Sequence, residues 1–199
     1  MAVRHDPIAK QCRDFDLSPA VLGYDKKNTN RHPDTNTRRK YSEYGMQLKE
    51  KQKLKFIYGV QETQFEHYYE LAEKQAGITG ENIIKLLESR LDNIVFRMGM
   101  AKTRREARQL VRHAHFRVNG KKVNIPSIRL KPGDVVSVKD SSRSTPKFKE
   151  LAALLETRLF PSWLEVDKEN CTATMKSLPI REELDYEVNE QLIVELYSK

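Results

Sequence analysis

Ala101-Lys-Thr-Arg-Arg-Glu-Ala-Arg-Gln-Leu-Val-Arg-His-Ala-His-Phe-Arg-Val-Asn-Gly-Lys-Lys-Val123 decides the fold, because it reads as a basic helix followed directly by a strand hairpin. Thr103 is placed to cap the first backbone N–H groups, and Glu106, three residues on, completes a capping box. At 100° per residue Ala107, Leu110, Val111 and Ala114 share one face, while Arg104, Arg105, Arg108 and Arg112 occupy a neighbouring arc of about 100°. Phe116-Arg117-Val118 then alternates as a strand, Asn119-Gly120 tolerates the positive φ of a tight turn, and Lys121-Lys122-Val123 returns.

Eight basic residues (Lys102, Arg104, Arg105, Arg108, Arg112, Arg117, Lys121, Lys122) face a single acid, Glu106, in this window. Ion pairing within it leaves most of that charge uncompensated, and the planar fork of Arg suits phosphate oxygens. The whole chain of 199 residues carries a net charge of +8 with a pI near 9.4, which favours a polyanionic partner over an acidic small substrate. Residues 150–199 hold five Lys or Arg against eleven Asp or Glu, a balance of −6 that leaves +14 on residues 1–149. The acidic end is expected to face away from phosphate.

At 38% hydrophobic residues the chain supports one or two modest domains with real cores. Arg4, His5, Asp6 and Pro7 interrupt any secretory signal and the longest apolar runs are too short to cross a bilayer, so a cytoplasmic protein is expected. Cys12 and Cys171 read as two reduced thiols.

Residues 1–41 show no sustained helix or strand period and read as an extended basic arm closing on Arg38, Arg39, Lys40 and Tyr41. His5, Cys12 and His32 lack ligand spacing, so no zinc or other metal is expected. From Ser42 the pattern turns helical, with Leu48, Leu54 and Ile57 inward and Gly59 as the stop. Thr63-Gln-Phe-Glu66 reads as a second capping box, and Glu81 to about Met98 as one further helix. After the hairpin, Lys131-Pro-Gly-Asp134 is a turn and Val136 and Val138 mark a strand. Ser141 to Pro146 reads as a polar linker, Pro146 to Arg158 as a helix, and Leu164–Asp167 with Cys171–Met175 as another hairpin. Residues 182–199 fit helix or strand equally.

The run from Lys102 to Val123, with Ile125-Pro-Ser127 and Lys131-Pro-Gly-Asp134 after it, resembles the RNA-binding domain named after small-subunit ribosomal protein S-four. Tyr41-Ser-Glu-Tyr-Gly-Met-Gln-Leu-Lys-Glu-Lys-Gln-Lys-Leu54, Leu86-Leu-Glu-Ser-Arg-Leu-Asp-Asn93 and Asn189-Glu-Gln-Leu-Ile-Val-Glu-Leu-Tyr-Ser-Lys199 extend the similarity to that bacterial ribosomal-protein family, in its version without a cysteine cluster. The expected fold is α+β: a basic arm over 1–41, a helical subdomain over 42–91 completed by 178–199, and an RNA-binding domain over 92–177 with its core module near 90–150. The resemblance implies a structural constituent of the 30S subunit, with no cofactor and no small-molecule substrate. The implied target is a multi-helix junction in the 5′ domain of 16S ribosomal RNA, with proteins S-five and S-twelve as neighbours and the protein's own operon mRNA as a second target. Candidate phosphate contacts are Arg104, Arg105, Arg108, Arg112, Arg117, Lys121 and Lys122, with Asn119, His113 and His115 for sugar or base contacts. Lys49, Gln52, Lys53 and Lys55 enter as a group through the resemblance, and Arg38, Arg39, Lys40 and Tyr41 from the arm.

Charge reversal at Arg104, Arg108 and Arg112 together is expected to abolish RNA binding with little loss of stability. Two rival classes carry the same module. Pseudouridine synthases combine it with a catalytic Asp in a tripeptide like Arg90-Leu91-Asp92, but here no catalytic-sized domain accompanies it. RNA quality-control binders use it without the helical subdomain.

Overall fold

A computed structural model describes residues 7–25 and 41–198. These divide into two units: the residues up to Ile83 together with those from Asp185 onward, and Ile84–Leu184.

In the first unit residues 7–25 depart from the expectation of an arm without helical period. They form α1 (Ile8–Asp14) and a 3-10 turn, Pro19–Leu22, at whose start the Ala20 N–H donates to the Ser18 hydroxyl at 3.4 Å. Cys12, Phe15, Leu17 and Leu22 are buried, and the Phe15 ring lies 5.6 Å from that of Phe56. Seven residues give fewer than two turns, too few for a period to show in sequence. The basic stretch that includes Arg38, Arg39 and Lys40 lies outside the described residues.

Helix α2 (Glu43–Tyr58) begins at Ser42, whose hydroxyl accepts from the Gly45 amide at 3.2 Å, and stops at Gly59 with φ 61°. Helix α3 (Glu62–Glu73) starts earlier than the expected capping box: Gln61 holds the N-cap position, and Thr63 lies inside the first turn. The reason is Glu62, whose carboxylate is taken by Lys51 at 2.7 Å and by Lys55, which anchors the turn two residues sooner. The ambiguous C-terminal stretch resolves as helix α9 (Glu190–Tyr197), capped by Asn189 and packed on α2. Glu50 accepts from the Asn189 amide at 3.1 Å, the Tyr58 and Tyr186 hydroxyls bond to each other, and Tyr197 stacks on Tyr69 at 4.3 Å between ring centroids.

Where a single helix to Met98 was expected there are two, α4 (Thr79–Glu88) and α5 (Leu91–Arg97). Arg90 between them is extended and bridges to Arg129. Leu130 N–H donates to Ser89 C=O at 2.8 Å, Leu91 N–H to Ile128 C=O at 2.8 Å, and Asp92 N–H to Pro126 C=O at 3.2 Å. Pairing with the 126–130 segment therefore outcompetes helical continuation, a tertiary override that periodicity does not register.

Helix α6 (Arg104–Arg112) packs on α5. It ends two residues before Ala114, which takes φ 58° instead of continuing the apolar face. The sheet contains β1 (Phe116–Val118), β2 (Lys121–Val123), β3 (Val135–Val138), β4 (Leu164–Asp167) and β5 (Thr172–Met175), all antiparallel, in the order β2-β1-β3-β5-β4. The polar linker contains a short helix, α7 (Asp140–Arg143), before α8 (Pro146–Leu154) and a 3-10 turn, Leu155–Thr157. One core joins Ile94, Met98, Ala107, Leu110, Val111, Phe116, Val136, Val138, Phe148, Leu155, Trp163 and Met175. No helix among the described residues is long and apolar enough to cross a membrane.

Candidate nucleic-acid interface

Helix α6 owes its position to its cap. The Glu106 N–H donates to Thr103 Oγ1 at 3.1 Å, and the Glu106 carboxylate accepts from the Lys102 amide at 2.7 Å, one residue outside the usual box partner. Burial pushes the Glu106 carboxyl up, but Lys147 at 2.6 Å and the Lys102 amide outweigh it and hold it below the usual carboxylate range.

The four arginines of α6 then separate into two kinds. Arg105 and Arg112 are exposed. Arg104 is buried: its Nε donates to Asn93 Oδ1 at 2.8 Å, its Nη2 lies 3.8 Å from Glu88 Oε1, and its guanidinium sits 4.5 Å from the Phe96 ring centroid. Arg108 donates through Nε to Asp92 Oδ2 at 2.8 Å, with its side chain 21% exposed. Asp92 also takes a two-point contact from Arg90, and Glu88 takes one from Arg97 at 3.0 and 3.1 Å. Burial pushes the Asp92 carboxyl up, yet the charges and hydrogen bonds of Arg90 and Arg108 prevail and hold it below its ordinary value.

The fold thus supplies acids that the 102–122 window lacks. Glu88 and Asp92 sit four apart in sequence but on either side of the break at extended Arg90, one on α4 and one on α5, so helical spacing carries no signal of the pairing. Arg104 is corrected from a surface phosphate contact to an internal one, because its guanidinium is enclosed. With Arg104 enclosed and Arg108 held by Asp92, reversing Arg104, Arg108 and Arg112 together is expected to cost stability as well as binding. Arg90-Leu91-Asp92 is also no surface pair and no exposed catalytic triplet, since its carboxylate is clamped between two guanidiniums.

Along the hairpin, Arg117 stands directly opposite Lys122 across the β1–β2 ladder, on the face away from buried Phe116. Like charges in register cost stability. Arg117 is partly relieved by Asp140 at 3.0 Å, while Lys121 and Lys122 are exposed. Lys102 pairs with Glu150 at 2.9 Å at an exposed position.

Asn119, expected to touch RNA, uses both ends of its amide inside the protein: Nδ2 donates to Asp134 Oδ1 at 2.8 Å and Oδ1 accepts from the Val135 amide at 2.9 Å. His113 is exposed. The ring of His115 bonds Ser142 Oγ through Nδ1 at 2.9 Å and lies 5.5 Å from Phe148; burial, together with His113, Lys147 and Lys139, holds it below the ordinary imidazole value.

On α2, Lys55 is buried against Glu62 and Gln52, Lys53 lies 4.0 Å from Glu50, and Lys49 sits 4.8 Å from the ring of exposed Tyr41. The group expected to act together is therefore split, with Lys55 turned inward. No cluster of three or more His, Cys, Asp or Glu suited to a metal ion occurs among the described residues.

Two family models match the chain: the S4 domain over residues 89–136 and the ribosomal protein S4/S9 N-terminal domain over residues 4–88. The chain is 53% identical to Small ribosomal subunit protein uS4 of Lachnospira eligens and 52% identical to that of Agathobacter rectalis, each alignment covering all of both chains. With the protein of the same name from Caldicellulosiruptor saccharolyticus it shares 58% identity over 162 residues, 81% of this chain and 78% of the relative.

Proposed function

This chain belongs to the ribosomal protein S4 family, and from that premise we propose that it clamps folded 16S ribosomal RNA with the exposed cations Arg105, Arg112, Lys121 and Lys122 and the half-buried Arg117. It is a structural constituent of the small ribosomal subunit, in the cytoplasm, with an S4 RNA-binding domain, and its homologues are ribosomal proteins with no indicated enzymatic activity.

The observation that carries the reading is the unequal fate of the charges. After Glu88, Asp92 and Glu106 are taken up internally, a like-charged pair remains in register at Arg117 and Lys122 beside Lys121. A protein that keeps such a pair at a cost in stability gains from an anion that lies across it. Arg108, held by Asp92 at the rim, and exposed His113 flank this surface in the chain. The contacts are to phosphate and sugar, so the protein reads RNA shape before base identity. Lys49, Gln52 and Lys53 on α2, with Arg38, Arg39, Lys40 and Tyr41 before it in the chain, supply a second set of contacts.

The target is a multi-helix junction in the 5′ domain, bound early so that the body of the subunit can assemble around it. Proteins S-five and S-twelve are its neighbours in decoding accuracy, and the operon mRNA is a second ligand.

The test is a salt titration of the full chain binding a 5′-domain transcript. Replacing Arg105, Arg112, Lys121 and Lys122 with Glu is expected to lower the log–log salt slope by about 3, at roughly 0.7–0.9 for each phosphate no longer neutralised. An unchanged slope and affinity would refute the clamp.

A further inference from the structure

We propose that Asn119 and Asp134 form a latch whose role is to position Lys121 and Lys122 for phosphate, so that Asn119 acts on RNA through the hairpin and does not touch it. The inference rests on the phosphate-clamp reading of those two lysines.

The hairpin needs such a device. Its strands are three residues each, β2 is an edge strand, and so short a ribbon has little stability of its own. The turn that joins them has Asn119 at φ 49° and Gly120 at φ 77°. Asn and Gly both suit the positive φ of the first position, so the backbone does not distinguish the roles they would play there. What Gly lacks is the amide side chain.

That amide reaches across to the Lys131–Asp134 turn. Its oxygen accepts from the Val135 N–H at 2.9 Å and its nitrogen donates to Asp134 Oδ1 at 2.8 Å. The Asn119 N–H donates to Val135 C=O at 2.9 Å, so one residue is held at three points. Asp134 is fixed in turn: its second oxygen accepts from the Lys131 N–H at 2.7 Å, its C=O accepts from Met175 N–H at 3.1 Å, and Gly133 N–H donates to Met175 C=O at 2.8 Å. The tip of an edge hairpin is thereby tied to β3, the middle strand of the sheet, and, through Met175, to β5 beside it. Lys121 and Lys122 follow the tied turn immediately.

A cation whose backbone is already fixed loses less freedom when a phosphate captures it. Cutting the latch returns that ordering to the moment of binding. It leaves the charge in place, so the loss differs from that caused by removing a lysine.

The experiment uses the full chain and a 16S 5′-domain transcript, with Asn119→Gly, Asp134→Ala, the double variant, and Lys121→Ala/Lys122→Ala. Asn119→Gly keeps the turn's backbone conformation and removes both side-chain bonds. We expect it to weaken binding about tenfold, with Asp134→Ala similar. The double variant is expected to lose clearly less than the sum of the singles, because both cut the Asn119–Asp134 bond, while each also cuts one bond of its own, to the Val135 N–H or the Lys131 N–H.

Fully additive losses would show that Asn119 and Asp134 act independently, and would overturn the latch. So would parental affinity in Asn119→Gly while the lysine double variant is weakened. If the lysine variant itself binds like the parent, the clamp reading fails at these residues and the latch fails with it. Thermal melts of each protein separate these outcomes from unfolding, and if Asn119→Gly does not fold, Asp134→Ala carries the same comparison.

Discussion

Asp92→Asn isolates the buried ion network from the RNA-facing surface. The residue is 2% exposed and accepts from Arg90 Nε at 3.0 Å, Arg90 Nη2 at 2.9 Å and Arg108 Nε at 2.8 Å. Asparagine keeps the shape, removes the charge, and turns an amide N–H toward a guanidinium N–H. Removing one partner of a buried ion pair costs about 3–5 kcal/mol. Arg108 retains some water, so the lower figure applies, about 3 kcal/mol. For a unit of about 100 residues this lowers Tm by roughly 12–20 °C.

The pH dependence gives a second handle. Burial raises the Asp92 carboxyl and the two guanidiniums more than reverse it, so its folded value is depressed. A depressed carboxylate stabilises the fold above its unfolded value near about 4, and that stability is lost as pH falls through the lower folded value. The variant has no such contribution to lose, so the two stability curves, measured by urea unfolding from pH 7 downward, are expected to converge in acid. A variant within about 0.5 kcal/mol of the parent at pH 7 would refute the network's role, since that is the spread of ordinary surface substitutions.

Arg104→Ala and Arg105→Ala, neighbours in sequence, are expected to diverge in urea unfolding: about 3 kcal/mol lower stability for enclosed Arg104, and within about 0.5 kcal/mol for exposed Arg105. Equal costs would count against the separation of the α6 arginines. Gly99→Ala is expected to cost about 2–3 kcal/mol, because φ is 85° and an added Cβ would stand 2.5 Å from Leu155 Cδ2. A neutral melt for that variant would show that the Leu155 side chain yields freely.

Much of this is readable from local chemistry. Ser42 and Gly59 bound α2, Thr103 caps α6, and Asn119-Gly120 turns the hairpin, because each depends on residues within a few positions. What escapes a local reading depends on distant partners. The break at Arg90 is made by residues 126–130, and the early start of α3 by Lys51 and Lys55. The same limit applies to the site. A count of charges within 102–122 treats all the arginines alike, whereas Glu88 and Asp92, outside the window, engage Arg104 and Arg108. The Asn119 amide is taken by Asp134 and Val135, partners that a local reading of Asn119-Gly120 does not contain.

The position of β2 at one end of the sheet has a further consequence. An open strand border invites a second chain to add on, and newly made protein that has not yet met its RNA is most at risk. Consecutive lysines on a border of three residues make two such borders repel, and their brevity leaves little to pair. The two lysines proposed as phosphate contacts therefore also disfavour pairing of this border with a second copy.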